Sequence, residues 1–393
     1  MEVRQGIHWV GVFDPDLEIF DIVIPTQWGT TYNAYLIDAD EPALVDTVKG
    51  NFTEEFLEKL EARIDLGELK HLIVNHTEPD HSGAAPELLR RAPHLKVHGS
   101  RAAIQFLREQ VNSDFDAHVV GDNDVLDLGS RRLRFIMAPF LHWPDTMFTY
   151  LEGEGVLFTC DAFGSHYSPP HGKLFESEQL EDITEATKYY FDSIMSPFKP
   201  KIREAVAKIA PLEIELIATG HGPILDKDPW RIVDLYRSWS SEPQAKVKKV
   251  IIGYASAYGH TKKMAELIAQ GVEEVGNVEM ALVDVAVALE RHLEELFSDF
   301  DALIIGSPTI NANVVAPVWR ALDRVSAITA RGKAAAVFGN YGWSGEAVEL
   351  LEERLEKMRL VVSHPPVKVR FGLTPADEER CLNLGRFMAQ GLQ

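Results

Sequence analysis

Asn75-His76-Thr77-Glu78-Pro79-Asp80-His81-Ser82-Gly83 decides the first half of this chain, because it leaves the apolar run 71–75, which reads as a buried strand. The ligand-type residues fall at i, i+2, i+4 and i+5, a spacing that a loop can aim at one centre and a regular strand cannot. With Asn75 closing the strand, His76 to His81 are expected in an exposed strand-to-helix loop. Gly83 should permit a tight turn there, and a helix should begin near Pro86. His142, Asp161 and His221 each follow a predicted strand, so every candidate lies at one rim of the same fold. Four neutral imidazoles and three carboxylates can hold two metal ions. Glu78 makes the set oxygen-rich, which moves preference from a zinc-type nitrogen cage toward iron or manganese.

Outward from that loop, short apolar or alternating runs predict strands over 7–13, 19–24, 32–37, 43–46, 95–98, 132–138, 147–151, 155–159 and 213–218. Helical spacing covers 52–63, 86–91, 101–110, 178–194, 199–209 and 230–240. Two sheets with helices outside them, an αββα sandwich, fit this order. Ser241-Glu242-Pro243-Gln244 breaks the periodic pattern and reads as a linker, giving domains 1–244 and 245–393. Beyond it the chain alternates strictly. Strands are expected over 250–254, 278–283, 302–306, 334–339 and 360–362. Helices are expected over 262–275, 289–296, 314–325, 346–358 and 375–390. That grammar predicts a five-stranded doubly wound parallel sheet with its ligand at the carboxyl ends of the strands.

The formal net charge of −21 argues against nucleic acid or an anionic membrane as partner. Lys246, Lys248, Lys249, Lys262 and Lys263 read as a solvated face. Only Cys160 and Cys381 are present, which excludes a disulfide framework, a four-cysteine iron–sulfur cluster and a built-in rubredoxin-type site. Cys160 follows an apolar run and reads as a small buried hydrophobe. No run reaches the roughly 18 apolar residues of a membrane helix, and no leader is evident, so a cytoplasmic protein is expected.

In the second half, Ser256, Tyr258, Gly259, His260 and Thr261 sit where a strand opens into a helix, and bare amides at a helix N-terminus cradle phosphate. The loop has neither a Walker lysine nor G-x-G-x-x-G, which disfavours nucleoside triphosphates and dinucleotides. It resembles the flavodoxin phosphate loop. Pro308, Thr309 and Asn311 end the third strand, and Asn340, Tyr341, Gly342 and Trp343 end the fourth. These match the flavodoxin loops that embrace an isoalloxazine ring. A single monophosphate cradle favours FMN over FAD.

The pattern H-x-E-x-D-H…H…D…H on this sandwich resembles the metallo-β-lactamase superfamily, most hydrolases of which carry His at the position of Glu78. The Glu variant followed by a flavodoxin-like domain resembles the flavodiiron proteins (A-type flavoproteins), which reduce dioxygen to water or nitric oxide to nitrous oxide. The resemblance covers nearly the whole chain and includes Gly29-Thr30-Thr31-Tyr32-Asn33. It implies that His76, Glu78 and His142 hold one iron, that Asp80, His81 and His221 hold the other, and that Asp161 bridges them. In some members the residue matching His81 is not a direct ligand. The resemblance also implies FMN, a head-to-tail homodimer or a tetramer built from it, and an electron donor such as rubredoxin or a reduced deazaflavin. Some members carry a His just before the Gly-Thr-Thr-Tyr-Asn segment, whereas residues 17–28 contain none here. Trp28, Phe140, Trp143, His166 and Tyr167 are candidates for tuning the choice of substrate. The remaining histidines (His8, His71, His94, His98, His118, His171, His292 and His364) read as ordinary structural imidazoles. The rival readings are a dinuclear zinc hydrolase on the same fold, and an electron carrier with a vestigial metal site.

Overall fold

The computed structural model describes residues 1–179, 182–241 and 247–393. Of the expected linker only Ser241 falls within them, and Lys246 also lies outside the described residues. The chain forms two compact units, Met1–Glu242 and Pro243–Gln393.

In the first unit a seven-stranded sheet runs Glu2–Arg4, Ile7–Trp9, Tyr35–Ile37, Ala43–Val45, His71–Val74, Lys96–Gly99, Asp116–Val119. A five-stranded sheet runs Val125–Asp127, Arg132–Met137, Met147–Leu151, Val156–Cys160, Leu216–Thr219. Ile7, Tyr35, Ile73, Phe135, Met147 and Phe158 fill the space between the sheets. The outer face of the first sheet packs through Leu44 and Leu72 on Phe56, Leu88 and Leu107 of three helices. Phe148, Leu157 and Ile217 of the second sheet pack on Tyr190, Ile202 and Tyr236. Sheet on sheet with helices outside is the αββα sandwich expected.

Some elements differ from the expectation. The run 7–13 is broken into Ile7–Trp9 and Val12–Asp14, which belong to different sheets. Between them Gly11 passes so close to Tyr32 that an added Cβ would lie 2.3 Å from its carbonyl oxygen. Of the expected helix 178–194, residues 180 and 181 lie outside the described residues, and the part that follows holds the α-helix Thr184–Tyr190 continued by the wider turn Phe191–Met195.

The second unit is a parallel sheet ordered Val278–Asp284, Lys248–Tyr254, Ala302–Ile310, Ala334–Tyr341, with Val361–Val362 and Val367–Arg370 both pairing the last strand. The expected fifth strand, 360–362, is the short Val361–Val362, and Val367–Arg370 is a further strand that was not expected. The helices Glu290–Ser298, Ala316–Leu322 and Glu346–Lys357 cover one face. His260–Val275 and Pro375–Gln390 cover the other. These last two touch backbone to backbone. A Cβ on Gly271 would stand 2.1 Å from Leu382 O, and one on Gly385 2.0 Å from Ile268 O.

Candidate metal centre and cofactor loops

The strand His71–Val74 ends at Asn75, whose backbone N–H and side-chain amide both donate to Asp46, at 2.7 and 3.1 Å. Beyond it the ligand loop is buried rather than exposed, at 0% for His76, 5% for Glu78 and Asp80, and 1% for His81. Rings close over the ligands. Trp143 lies edge-on to His76, and Phe20, Tyr32 and Tyr190 surround His221. A buried loop needs partners for its backbone, and it has them. Thr47 donates to His81 O through both its N–H and its hydroxyl, each at 2.8 Å, and Ser82 Oγ donates to Thr77 O at 2.9 Å. Pro79–Ser82 is a helical turn rather than open loop. Gly83 serves close approach, not an unusual turn. Its φ is −62°, but a Cβ there would meet Gly50 N and Pro79 O at 2.4 Å.

The seven candidates converge. His142 Nε2 lies 2.8 Å from Glu78 Oε2, and His76 Nε2 lies 3.3 Å from the same oxygen. His221 Nε2 lies 3.1 Å from Asp80 Oδ2, and His81 Nε2 lies 3.6 Å from Asp80 Oδ1. Asp161 stands between the two groups. Its Oδ2 faces His76 and His142 at 3.4 and 3.7 Å, and its Oδ1 faces His81 and His221 at 3.0 and 3.4 Å. His76, Glu78, His142 and Asp161 thus form one set able to hold an ion, and Asp80, His81 and His221 form another. Although buried and close together, Asp80 Oδ1 and Oδ2, Asp161 Oδ2 and His221 Nε2 make no aligned hydrogen bond. Buried polar atoms are seldom left unpaired, and these point at shared centres. The donor set fits a pair of metal ions.

Charge binds this cluster together. Burial opposes ionisation of Glu78, yet hydrogen bonds from His142 and His76 hold its pKa down at about 2. Burial likewise opposes a charged His81, but Asp80 and Asp161 carry it up to about 9. Protons thereby occupy positions that metal ions would take, so metal loading should release them.

The Gly29-Thr30-Thr31-Tyr32-Asn33 segment works from behind. His221 Nδ1 donates to Thr31 O at 2.6 Å, which leaves Nε2 for the metal side. Asn33 Nδ2 donates to Thr219 O and Gly222 O at 2.9 and 3.0 Å. His166 is buried beside His221, with Nδ1 3.0 Å from Thr30 Oγ1 and Nε2 unpaired. Cys160 is buried, and burial pushes its thiol well up. Sequence reasoning missed three groups. Tyr190 donates to Asp161 Oδ1 at 3.0 Å, and Asp145 meets His76 Nδ1. Asp21 comes against Glu78 from the hairpin of Ile19–Phe20 and Ile24–Pro25; burial and then the Glu78 charge raise its pKa to about 6. Only Asp145 left a sequence signal, three residues after a candidate ligand.

In the second unit the candidate loops leave the carboxyl ends of three adjacent parallel strands, Lys248–Tyr254, Ala302–Ile310 and Ala334–Tyr341. Gly259, at φ +87°, precedes the helix His260–Val275, and its N–H donates to Ser256 Oγ at 3.1 Å. The first-turn amides of that 16-residue helix have no intrahelical acceptor, which suits a phosphate. Tyr258 and Trp343 are 91% and 93% exposed, and Tyr341 and Gly342 are half-buried. Thr309 Oγ1 accepts from Ala347 N at 3.3 Å, while Asn311 turns the chain at φ +55°. Asn340 uses its side-chain amide within the fold, donating to Phe371 O at 2.7 Å and Val369 O at 3.2 Å.

Residues 30–222 match the family described as ODP family beta lactamase, and residues 252–385 match Flavodoxin. The chain is 40% identical over 398 residues to the type A flavoprotein fprA of Rhodobacter capsulatus, covering 99% of this chain and 91% of the relative. It is 37% identical to a protein named nitric oxide reductase from Moorella thermoacetica, covering 98% and 97%. The rubredoxin oxygen:oxidoreductase structure from Desulfovibrio gigas superposes with a TM-score of 0.70 at 29% identity, covering 100% of this chain and 98% of that one. Among the described residues no helix is long and apolar enough to cross a membrane.

Proposed function

The chain belongs to the flavodiiron (type A flavoprotein) family of oxidoreductases, and on that footing we propose that it reduces dioxygen to water, nitric oxide to nitrous oxide, or both. The observation that carries this reading is the division of the ligand set. Asp161 offers one oxygen to the group containing Glu78 and the other to the group containing Asp80, in a chain that also folds a flavodoxin unit. His76, Glu78 and His142 would hold one iron, Asp80, His81 and His221 the other, with Asp161 shared. His81 joins the ligands because its Nε2, not a backbone partner, faces Asp161 at 3.0 Å.

When bound, two ferrous ions and a reduced FMN together supply the four electrons that full reduction of dioxygen consumes. The chain's own part is positional. Thr31 O fixes the His221 ring, and Tyr190 holds Asp161 by a hydrogen bond. Phe20, Trp143 and Tyr190 exclude water around the ligands. Ser256 to Thr261 would take the FMN phosphate, with Pro308, Thr309, Asn311 and Asn340 to Trp343 flanking the ring. A head-to-tail homodimer would complete the enzyme, and a rubredoxin-type protein or a reduced deazaflavin would supply its electrons.

The test is anaerobic stopped-flow of the iron-loaded, fully reduced protein mixed separately with dioxygen and nitric oxide. Rapid reoxidation, with water or nitrous oxide as product, is expected, and the ratio of rates gives the preference. Silence toward both gases, with zinc in the protein and steady ester hydrolysis, would replace this reading with that of a dinuclear zinc hydrolase.

A further inference from the structure

The segment after the strand Arg132–Met137 carries more than the candidate ligand His142. It brings Trp143 edge-on to the His76 ring, with centroids 5.2 Å apart, and two residues later it buries the Asp145 carboxyl completely. One oxygen of that carboxyl gathers three groups. Asp145 Oδ2 lies 3.1 Å from His76 Nδ1, and it accepts from Thr77 N at 2.8 Å and from Thr77 Oγ1 at 2.7 Å. Asp145 is itself tied down, since its carbonyl accepts from Ser100 Oγ at 2.7 Å. Ser100 in turn caps the helix Arg101–Val111.

A carboxylate only accepts, so Nδ1 of His76 must be the donor. In the neutral ring the lone pair is then on Nε2. That atom faces Glu78 Oε2 at 3.3 Å and Asp161 Oδ2 at 3.4 Å, on the metal side. We propose that Asp145, with Thr77, is the positioning residue for one metal of the pair: it locks His76 in its metal-binding tautomer and orientation. It acts through His76 and touches neither metal nor substrate. The other position has separate supports. His221 is fixed by Thr31 O, and His81 is held through its backbone carbonyl by Thr47. Losing Asp145 should therefore unbalance the pair rather than abolish it. Outer carboxylates of this kind are worth about 10–100-fold in metal affinity.

This inference rests on the diiron reading but is tested without turnover. Full-length wild-type protein, Asp145→Asn and Thr77→Val are titrated anaerobically with ferrous iron, and bound iron, FMN content and circular dichroism are recorded. Two irons per wild-type chain are expected. In Asp145→Asn, one iron should keep its affinity and the other weaken about 10–100-fold, with FMN and fold unchanged. Thr77→Val should weaken the same iron less, and it carries the test if Asp145→Asn does not fold. Two equally tight irons in the variants, or equal weakening of both, would overturn the proposal while leaving the diiron reading standing. A wild-type chain that takes up no iron would overturn both.

Discussion

His76, Glu78, Asp80, His81, Asp161 and His221 are 0–5% exposed, whereas Tyr258 and Trp343 in the cofactor loops are 91% and 93% exposed. The difference follows from what each region must recognise. A metal ion is held by side-chain atoms at fixed positions, so its site is built in advance and anchored by Asp46, Thr47, Thr31 and Asp145. A phosphate and a flat ring can be taken by backbone amides and aromatic faces on loops, which can await their ligand in solvent. The two regions also belong to separate compact units. Damage to one should leave the other's cofactor in place.

The hardest break is Asp161→Ala. It removes the carboxylate whose two oxygens face both ligand groups, leaving four imidazoles without their shared counter-charge. A ligand that serves both positions should cost more than the roughly 100-fold upper value for an outer group, so paired iron binding is lost. FMN content should stay at the wild-type level. Iron and flavin analysis on one sample checks this, and joint loss of both cofactors would show that the regions are not independent.

The mirror-image break is Gly271→Ala. The new methyl would sit 2.1 Å from Leu382 O, so the helices His260–Val275 and Pro375–Gln390 must separate, at a cost of about 1–3 kcal/mol or more. Calorimetry should show the flavodoxin unit melting earlier, with weaker FMN retention and unchanged iron. A milder change is Trp343→Ala. A stacking face is worth about 0.5–1.5 kcal/mol, so FMN affinity should fall about 2- to 12-fold, measured by flavin fluorescence. Unchanged affinity would mean that the exposed indole faces something other than the flavin.

The same contrast explains what could be read beforehand. The ligands were legible because metal chemistry restricts residue type and spacing, as in His76-x-Glu78-x-Asp80-His81. Their burial was not, because Phe20 and Tyr190, which help to cover them, come from segments far from any ligand in sequence. Tyr190 is 29 residues from the Asp161 it contacts, and nothing local marks it. The strand Asp116–Val119 was missed because its Asp-Ala-His-Val alternation is short and does not follow the burial, Val119 being exposed at the sheet edge. Val367–Arg370 was missed too, although it left a signal. Its Val-Lys-Val-Arg alternation matches the alternating burial, and its pairing with Phe338–Tyr341 extends the sheet beneath the cofactor loop.

The smallest effect separates two kinds of histidine within the first unit. His81, among carboxylates, is raised to about 9, whereas burial, aided by His71, His118 and Lys96, pushes His98 down to about 3. The signs oppose. In metal-free protein the His81 contribution is complete below an unfolded value near 6.5 and is lost as pH rises through about 9. His98 costs nothing above 6.5. As pH falls from there toward 3, the unfolded chain gains a proton that the fold refuses, and stability drops. His98→Phe removes that acid-side loss but strands His71 Nδ1, now 2.9 Å from His98 Nε2, at a cost of about 1 kcal/mol near pH 7. Urea unfolding of metal-free wild type and variant at pH 7 and pH 5 should therefore show the variant weaker at pH 7 and the gap narrowing at pH 5. Titrating groups that do not touch His98 are common to both chains and cancel in the difference; His71, its hydrogen-bond partner and itself lowered by burial, does not. A gap that widens toward pH 5 would mean that His98 takes up its proton in the folded state, and the division between metal-facing and structural histidines would fall with it.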